Sequence, residues 1–273
     1  MNAIKVISIK KMNKLVSPCL SFLGVYFILS SLVFSEMDTV HSFKGKLPKV
    51  KKKHSYLNYS YTLKNEKFYI YVPKNYDGTK PFGVLAFINS DDNMKIPASW
   101  KNIIKEKQLL FIAPQRVGNN HDIDHRMSLT VVGVYKMMEM FKVNRDRIYI
   151  SGLSGGGRTA STLAFLHSDL FSGAIPICGA NFYKKVKQTY STTNGEYAYD
   201  IPKPTHSNRA KRNVKFVLIT GKSDWRHGDI LDVYHNGYTK KKFNAKLIDV
   251  PGMGHGLCDG KVLREALNFI DKL

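Results

Sequence analysis

The sequence predicts an α/β fold in which a mostly parallel central sheet is covered by helices on both faces. Short apolar runs, typical of strands buried on both faces, alternate along the chain with segments of helical periodicity. Turn-forming residues separate these segments. A chain of 273 residues is long enough to bury one large core, so a single catalytic or binding domain is expected.

The strand and helix signals follow one another regularly from residue 57 onward. The strands are rich in β-branched and aromatic residues and are predicted at residues 57–63, 68–72, 83–88, 109–113, 147–150, 173–178, 214–220 and 245–250. The helices repeat apolar residues every three or four positions and are predicted at residues 100–107, 127–141, 159–166, 230–241 and 262–273. Parallel strands end at one edge of a sheet, so side chains that follow different strands meet there.

Residues 181–212 interrupt this alternation. They are polar, aromatic and basic, and they include Pro202 and Pro204. Long irregular segments in compact domains are often functional. We therefore predict a lid-like insertion over the active site, with a solvated loop as the alternative.

The first 35 residues have the composition of an export signal. Four lysines precede an uncharged apolar run at residues 15–34, and Val33 and Ser35 are small enough for a cleavage site. A start at Met12 gives a more usual signal length. The run is also long enough to remain as a membrane anchor, and both outcomes stay open. We expect a secreted or periplasmic protein, or a membrane-anchored one.

Residues 36–55 are expected to form a basic linker before a catalytic domain at residues 56–273. The chain has 42 Lys and Arg against 21 Asp and Glu, a formal charge of +21. The basic clusters are scattered and no nucleic-acid-binding motif accompanies them, so no nucleic-acid partner is expected.

Ser154 is the candidate nucleophile. The strand at residues 147–150 leads into Gly-Leu-Ser-Gly-Gly, and a helix of small residues follows. A serine hydroxyl needs a sharp turn that projects Oγ towards a base, and Gly152 and Gly156 permit that turn because they lack a Cβ. The backbone N–H of Gly155 is then placed to hold an oxyanion.

His255 and Asp224 are the candidate base and acid. His255 lies in a glycine-rich turn after the last predicted strand, residues 245–250, and Asp224 comes just past the strand at residues 214–220. This gives the chain order serine, aspartate, histidine, with all three at one edge of the sheet. Asp229 lies in the same connection and is the rival acid, but Asp224 is closer to the strand end.

Cys178 and Cys258 would remain after removal of an export signal, an even pair in a compartment that permits disulfides. Cys178 ends a predicted strand, and Cys258 lies three residues after His255. A disulfide and two buried free thiols both stay open, because the sequence does not supply the Cα separation.

The order of Ser154, Asp224 and His255, each after a predicted strand, resembles that of the α/β-hydrolase superfamily, and four motifs at residues 71–76, 152–158, 174–179 and 251–255 carry a narrower resemblance. Within it, the chain is similar to polyhydroxybutyrate-depolymerase and feruloyl-esterase-like serine esterases over residues 65–270. The resemblance implies an α/β-hydrolase fold and hydrolysis of a carboxylic ester, small or polymeric, through an acyl-enzyme.

The chain departs from this pattern after the strand that feeds the oxyanion hole. Many members carry His-Gly there, whereas this chain has Ile88, Asn89, Ser90 and Asp91. The loop still offers a backbone N–H, and either Ser90 or Asp91 is expected to supply it.

Neither a metal nor a cofactor is expected. Residues 121–125, His-Asp-Ile-Asp-His, are dense in potential ligands, but a metal site usually needs further ligands in fixed geometry. Residues 251–256 lack the glycine spacing of a nucleotide-binding loop.

The alternatives to a serine esterase are a catalytically silent binding protein with this fold and a serine peptidase.

Overall fold

A computed structural model describes residues 36–43, 66–192 and 204–271. The strands in chain order are β1 (Met37–Ser42), β2 (Lys67–Val72), β3 (Phe82–Ile88), β4 (Leu109–Pro114), β5 (Val143–Leu153), β6 (Gly173–Ile177), β7 (Lys215–Ser223) and β8 (Ala245–Gly254). The helices are α1 (Ala98–Glu106), α2 (Ile123–Met140), α3 (Gly155–Leu166), α4 (Pro204–Asn213), α5 (His227–Asp232) and α6 (Gly260–Ile270). A π-helical segment, Val233–Thr239, continues α5.

The strands form one sheet in the order β1-β2-β4-β3-β5-β6-β7-β8. The pairs β1/β2 and β2/β4 are antiparallel, and the remaining neighbours are parallel. This confirms the mostly parallel sheet predicted from the sequence. The carboxyl ends of β3, β5, β6, β7 and β8 lie at one edge, where ligands bind in open α/β sheets.

Both faces of the sheet are covered. On β3, Val84 and Ala86 belong to the core on one face, and Leu85 and Phe87 belong to the core on the other. Helices α2, α3, α4 and α5 contribute to the first core, and α1 and α6 contribute to the second. This burial explains why β3 is apolar throughout, since a strand between two helical layers has no side that faces solvent.

An aromatic cluster joins α3 to the segments that form one wall of the site. The ring of Phe165 lies 5.2 Å from Phe216, 5.8 Å from Tyr238, 5.9 Å from Phe182 and 5.6 Å from Phe243. All five side chains are buried. The cluster fixes the chain after β6 and the π-helical segment against α3, the helix that follows Ser154.

Residues 37–42 correct the predicted linker, because they form strand β1 at the edge of the sheet. β1 pairs antiparallel with β2 along its whole length. Its side chains are mostly exposed, so it shows no alternating apolar pattern. The pairing partner, rather than the strand's own sequence, makes it a strand. Residues 44–55, the strand predicted at residues 57–63 and the leader at residues 1–35 lie outside the described residues.

The predicted insertion at residues 181–212 is corrected in its last part. Residues 204–212 belong to α4, and Arg209 there donates to the Leu166 carbonyl and the Ser168 hydroxyl at the carboxyl end of α3. Ser154 lies at the opposite end of α3, so α4 belongs to the scaffold and does not cover the site. Pro204 marks a helix start, a position where the missing N–H costs nothing.

In the described ranges, no helix is both long and apolar enough to cross a membrane. The apolar run at residues 15–34 lies outside those ranges.

Candidate active site

Ser154 occupies a strained turn between β5 and α3. Its backbone has φ 55° and ψ −120°, a region that non-glycine residues adopt only when their surroundings impose it. A Cβ on Gly152 would lie 2.4 Å from the Gly156 carbonyl oxygen, and one on Gly156 would lie 2.0 Å from that of Ile88. The two glycines therefore allow β3, β5 and α3 to approach closely, and the turn presents Ser154 at the carboxyl edge of the sheet.

His255 directly follows β8 and pairs with Asp224, which directly follows β7. The Nδ1 atom of His255 lies 2.6 Å from Oδ1 of Asp224. The carboxylate is buried and also accepts from the Thr220 hydroxyl at 3.0 Å and the Arg226 backbone N–H at 2.9 Å. These contacts hold the carboxylate and fix the imidazole through Nδ1, so Nε2 is the nitrogen left for proton transfer.

The Ser154 hydroxyl lines a cavity and makes no hydrogen bond to any described residue. Catalytic hydrogen bonds are often long before substrate binds. The serine, the aspartate and the histidine thus reach one edge of the sheet from the connections after β5, β7 and β8, in the order that the sequence predicts.

Asp229 has other partners. Its Oδ2 atom accepts from Arg226 Nη1 at 2.7 Å, and its Oδ1 atom accepts from the Ser191 hydroxyl. Asp224, and not Asp229, is joined to His255. Asp229 therefore ties the segment around Ser191 to the start of α5.

Cys178 and Cys258 are two buried free thiols, so the disulfide alternative is not realised. Sγ of Cys178 lies 3.5 Å from the Gly256 carbonyl oxygen. Burial raises the pKa of each thiol to about 12. Cys178 also lines the cavity, but a thiol that stays protonated near neutral pH is a poor nucleophile, which leaves Ser154 as the candidate.

One ligand atom each from Cys178, Asp224 and His255 lie within 4.8 Å of one another, a grouping that could hold a metal ion. The raised thiol pKa opposes formation of the thiolate that a metal would need. The Asp224 oxygens already accept from three protein donors. The grouping therefore suits a histidine–carboxylate pair better than a metal centre.

The His-Asp-Ile-Asp-His motif lies at the start of α2. Nε2 of His121 contacts Asp92 at 2.8 Å, and Nε2 of His125 contacts the Arg116 carbonyl oxygen at 3.3 Å. These local contacts order the loop before α2.

Comparison with known proteins places this architecture among solved esterase structures. No family model and no curated protein matches the chain. A ferulic acid esterase matches with a TM-score of 0.58 at 15% identity, over 87% of this chain and 98% of that one. Fluorophosphonate-binding serine hydrolase F of Staphylococcus aureus matches with a TM-score of 0.58 at 17% identity, over 86% and 98%. This chain has the α/β-hydrolase fold.

A third structure with this fold is a mutant of the feruloyl esterase module from Clostridium thermocellum complexed with sinapinate. It matches with a TM-score of 0.55 at 14% identity, over 75% of this chain and 81% of that one. At such identities the likeness establishes the α/β-hydrolase fold, and the chemistry has to be argued from the site.

Gly155 lines the cavity beside Ser154, whereas Ser90 and Asp91, the other residues predicted to hold an oxyanion, are not among its described lining residues. Asn119 lies between these two segments. Its N–H donates to the Ser90 carbonyl at 2.8 Å, and a Cβ on Gly155 would meet its Oδ1 atom at 2.1 Å. Asn119 therefore fixes the spacing between the Ser90 loop and the turn at Ser154.

The cavity beside Ser154 has a volume of about 290 Å³. Three of its lining residues are arginines, namely Arg126, Arg158 and Arg226. Trp225 also lines it; this side chain is 59% exposed, and its ring lies 5.0 Å from that of His255.

The sequence reasoning missed Asn119, Trp225 and the arginines. Asn119 follows β4 at the carboxyl edge of the sheet, and Trp225 and Arg226 directly follow Asp224. Their position after the ends of parallel strands was the sequence signal that could have placed them at the site.

Proposed function

We propose that this chain is a serine hydrolase that cleaves carboxylic esters through an acyl-enzyme. Ser154 is the nucleophile, His255 is the general base and acid, and Asp224 orients the imidazole. The hydrogen bond from His255 Nδ1 to the buried Asp224, at the sheet edge that presents Ser154 in a strained turn, carries this proposal. The α/β-hydrolase fold and the esterases that share it support it.

The mechanism follows from these positions. Nε2 of His255 takes the Ser154 proton while Oγ attacks the ester carbonyl carbon. His255 then donates the proton to the leaving alcohol, and the acyl group stays on Oγ. Water, activated by the same histidine, hydrolyses this acyl-enzyme and releases the acid.

The oxyanion of each tetrahedral intermediate is held by the Gly155 N–H and by a backbone N–H of the Ser90–Asp91 segment. Gly155 is the first residue of α3, so the helix dipole also favours negative charge there. Asn119 positions these donors, because it contacts both segments.

The site of action belongs to the same proposal. The lysine-rich start and the apolar run at residues 15–34 support an extracytoplasmic enzyme, released or retained at the membrane. Its substrate is then an ester outside the cytoplasm, either a small molecule or a polymer such as an esterified polysaccharide or a polyester. No cofactor is needed for this chemistry.

Covalent labelling by a fluorophosphonate probe tests the nucleophile. We expect the wild-type protein to be labelled and Ser154→Ala to lose the label, since the probe reacts with an activated serine hydroxyl. Ser172→Ala is the control; its hydroxyl donates to the Asp146 carbonyl, away from the site, so labelling should persist.

Three outcomes would contradict the proposal. Persistent labelling of a folded Ser154→Ala protein would move the nucleophile elsewhere. An unlabelled wild-type protein would favour the catalytically silent binding protein. Labelling that is accompanied by cleavage of peptide amides and not of esters would favour a peptidase.

A further inference from the structure

The backbone around His255 has little packing of its own. His255 lies between Gly254 and Gly256, and a Cβ on Gly256 would meet no described atom within 4 Å apart from its chain neighbours. The imidazole bonds to Asp224 through Nδ1 and packs against Trp225, a side chain that is itself exposed. Because a reactive group needs a supporting shell that keeps it in the productive geometry, the turn at His255 needs an anchor from elsewhere in the fold.

The thiol of Cys178 contacts the backbone on both sides of His255. Its Sγ atom lies 3.7 Å from the Gly254 carbonyl oxygen and 3.5 Å from the Gly256 carbonyl oxygen. The same sulfur lies within 4.8 Å of a ring nitrogen of His255 and of a carboxylate oxygen of Asp224. One S–H group therefore faces the two carbonyls that flank the histidine, next to the bond that orients its ring.

The backbone at Cys178 is strained, and its neighbours contact the turn at Ser154. Cys178 directly follows β6 and has φ 51°, a value that non-glycine residues adopt only when their surroundings impose it. The Ser154 N–H donates to the Ile177 carbonyl at 2.8 Å, and a Cβ on Gly179 would lie 2.1 Å from the Ser154 carbonyl oxygen. Residues 177–179 thus contact the turns of both Ser154 and His255, and the Cys178 thiol is their contact with the second.

The chemistry of this thiol suits a structural donor. Burial raises the pKa of Cys178 to about 12, and the charge of Asp224 acts in the same direction. The group therefore keeps its proton near neutral pH and can donate to a carbonyl. A thiolate at the same place would have no proton to donate.

We propose that Cys178 is a positioning residue for His255, and that its thiol holds the backbone on both sides of the histidine so that Nε2 stays directed at Ser154. The inference rests on the proposed function, because it assigns a further residue to the same reaction. Cys178 touches neither the substrate nor the reacting atoms in this role. It acts through the position of the general base.

Substitutions of Cys178 test the role of the thiol. We expect Cys178→Ala to lower kcat for a 4-nitrophenyl ester by about tenfold, the effect of one lost hydrogen bond, and to leave KM within about twofold. Cys178→Ser should recover most of this loss, because a hydroxyl also donates. Cys178→Gly should lose kcat as the alanine variant does. Glycine adopts φ 51° without strain, so this variant removes the donor and relieves the backbone, which favours folding.

Cys258→Ala is the matched control. Cys258 is a second buried thiol in the same core as Cys178, and its backbone carbonyl, rather than its thiol, accepts from Trp100 at 2.8 Å. Removal of either sulfur takes a similar volume from that core, but the carbonyls beside His255 lose their donor in the Cys178 variants. We therefore expect kcat of Cys258→Ala to stay close to that of the wild type.

Proton NMR reports the position of the imidazole. The proton that His255 Nδ1 shares with Asp224 gives a downfield resonance, and its exchange with water measures how firmly the pair is held. We expect Cys178→Ala and Cys178→Gly to speed this exchange, and Cys178→Ser and Cys258→Ala to keep it near the wild-type rate. A role for Cys178 in packing alone would lower the free energy of unfolding without changing the exchange in the folded protein.

Equal kcat in Cys178→Gly and Cys258→Ala would overturn the inference. So would a loss confined to KM, which would make Cys178 a substrate contact, or a Cys178→Ser protein no more active than Cys178→Ala. Fluorophosphonate labelling of Ser154 separates this failure from failure of the proposed function. A labelled wild-type protein with equally active variants overturns the role of Cys178 alone, whereas an unlabelled wild-type protein overturns the hydrolase itself.

Discussion

At the scale of single residues, two aspartates in one connection have different roles because of where their partners lie. Asp224 directly follows β7 and receives the Thr220 hydroxyl and a backbone N–H, so its position is fixed before it meets His255. Asp229 lies on α5 and pairs with Arg226. Proximity to the end of a strand, rather than residue type, separates the aspartate that bonds to His255 from the one that pairs with Arg226.

Replacement of each aspartate by asparagine should separate these roles. We expect Asp224→Asn to lower kcat by about 10⁴, because an amide no longer selects the imidazole tautomer that accepts the serine proton. Asp229→Asn should change kcat by less than about tenfold and act mainly on KM, since it releases Arg226 at the cavity wall. Steady-state kinetics with one ester measures both, and equal losses in kcat would refute the assignment of Asp224.

At the scale of elements, β1 is held to the sheet by side-chain contacts as well as by its backbone pairing with β2. The Asp38 carboxylate accepts from the Tyr69 hydroxyl of β2 and from the Lys101 ammonium of α1. Partial burial raises the pKa of this carboxyl, but the hydrogen bonds from Lys101 and Tyr69 and the lysine charge outweigh it, so the pKa stays below its ordinary value of 3.8. The strand is therefore attached through an ionised group.

This attachment should weaken in acid. A carboxyl whose pKa is lower in the folded than in the unfolded state stabilises the fold above the unfolded pKa, and loses that effect as pH falls through the folded pKa. We expect amide-exchange protection of β1, relative to β3, to be full at pH 6 and to fall below pH 3.8.

Asp38→Asn should reduce the relative protection of β1 at pH 6 and remove its pH dependence. The control is Asp77→Asn, because Asp77 also has a lowered pKa but bonds only locally to Thr79. Retention of the wild-type pH dependence in Asp38→Asn would show that another group attaches the strand.

At the scale of the whole molecule, the sequence predicted the elements that carry an apolar pattern and missed those defined by distant partners. Strands β2 to β8 and the turn at Ser154 follow from local composition and glycine spacing. β1 is a polar edge strand whose partner lies 25 residues or more along the chain, so its own residues give no periodic signal.

The site was predictable to the same extent. Strand ends located Ser154, Asp224 and His255, because sheet topology alone brings such positions together. The contact of Asn119 with Gly155 and the stacking of Arg226 on Trp225 depend on loop conformation, which periodicity does not encode. The sequence could not decide between a disulfide and two free thiols at Cys178 and Cys258 for the same reason, since burial and separation are properties of the fold.

A buried ion pair fastens the edge of the sheet opposite the site. Asp271, directly after α6, accepts two hydrogen bonds from Arg147 of β5, at 2.7 and 2.9 Å, and one from the Tyr149 hydroxyl at 2.7 Å. The two charged side chains are only 3% and 5% exposed. Arg147 also donates to the Lys107 carbonyl, so the pair joins β5, α6 and the turn after α1.

Removal of one member of this pair should destabilise the molecule as a whole. Asp271→Ala leaves the Arg147 guanidinium buried without its counter-ion, and we expect the free energy of unfolding to fall by about 3–5 kcal/mol. Glu106→Ala breaks the ion pair between Glu106 and Arg264, and both of these side chains are 43% exposed. We expect this variant to lower the free energy of unfolding by less than about 1 kcal/mol. Replacing both Arg147 and Asp271 by apolar residues should recover most of the loss, because it removes the unpaired charge together with the pair. Denaturant unfolding measures all three variants, and similar losses for the buried and the exposed pair would show that desolvation of Arg147 is not what makes Asp271 necessary.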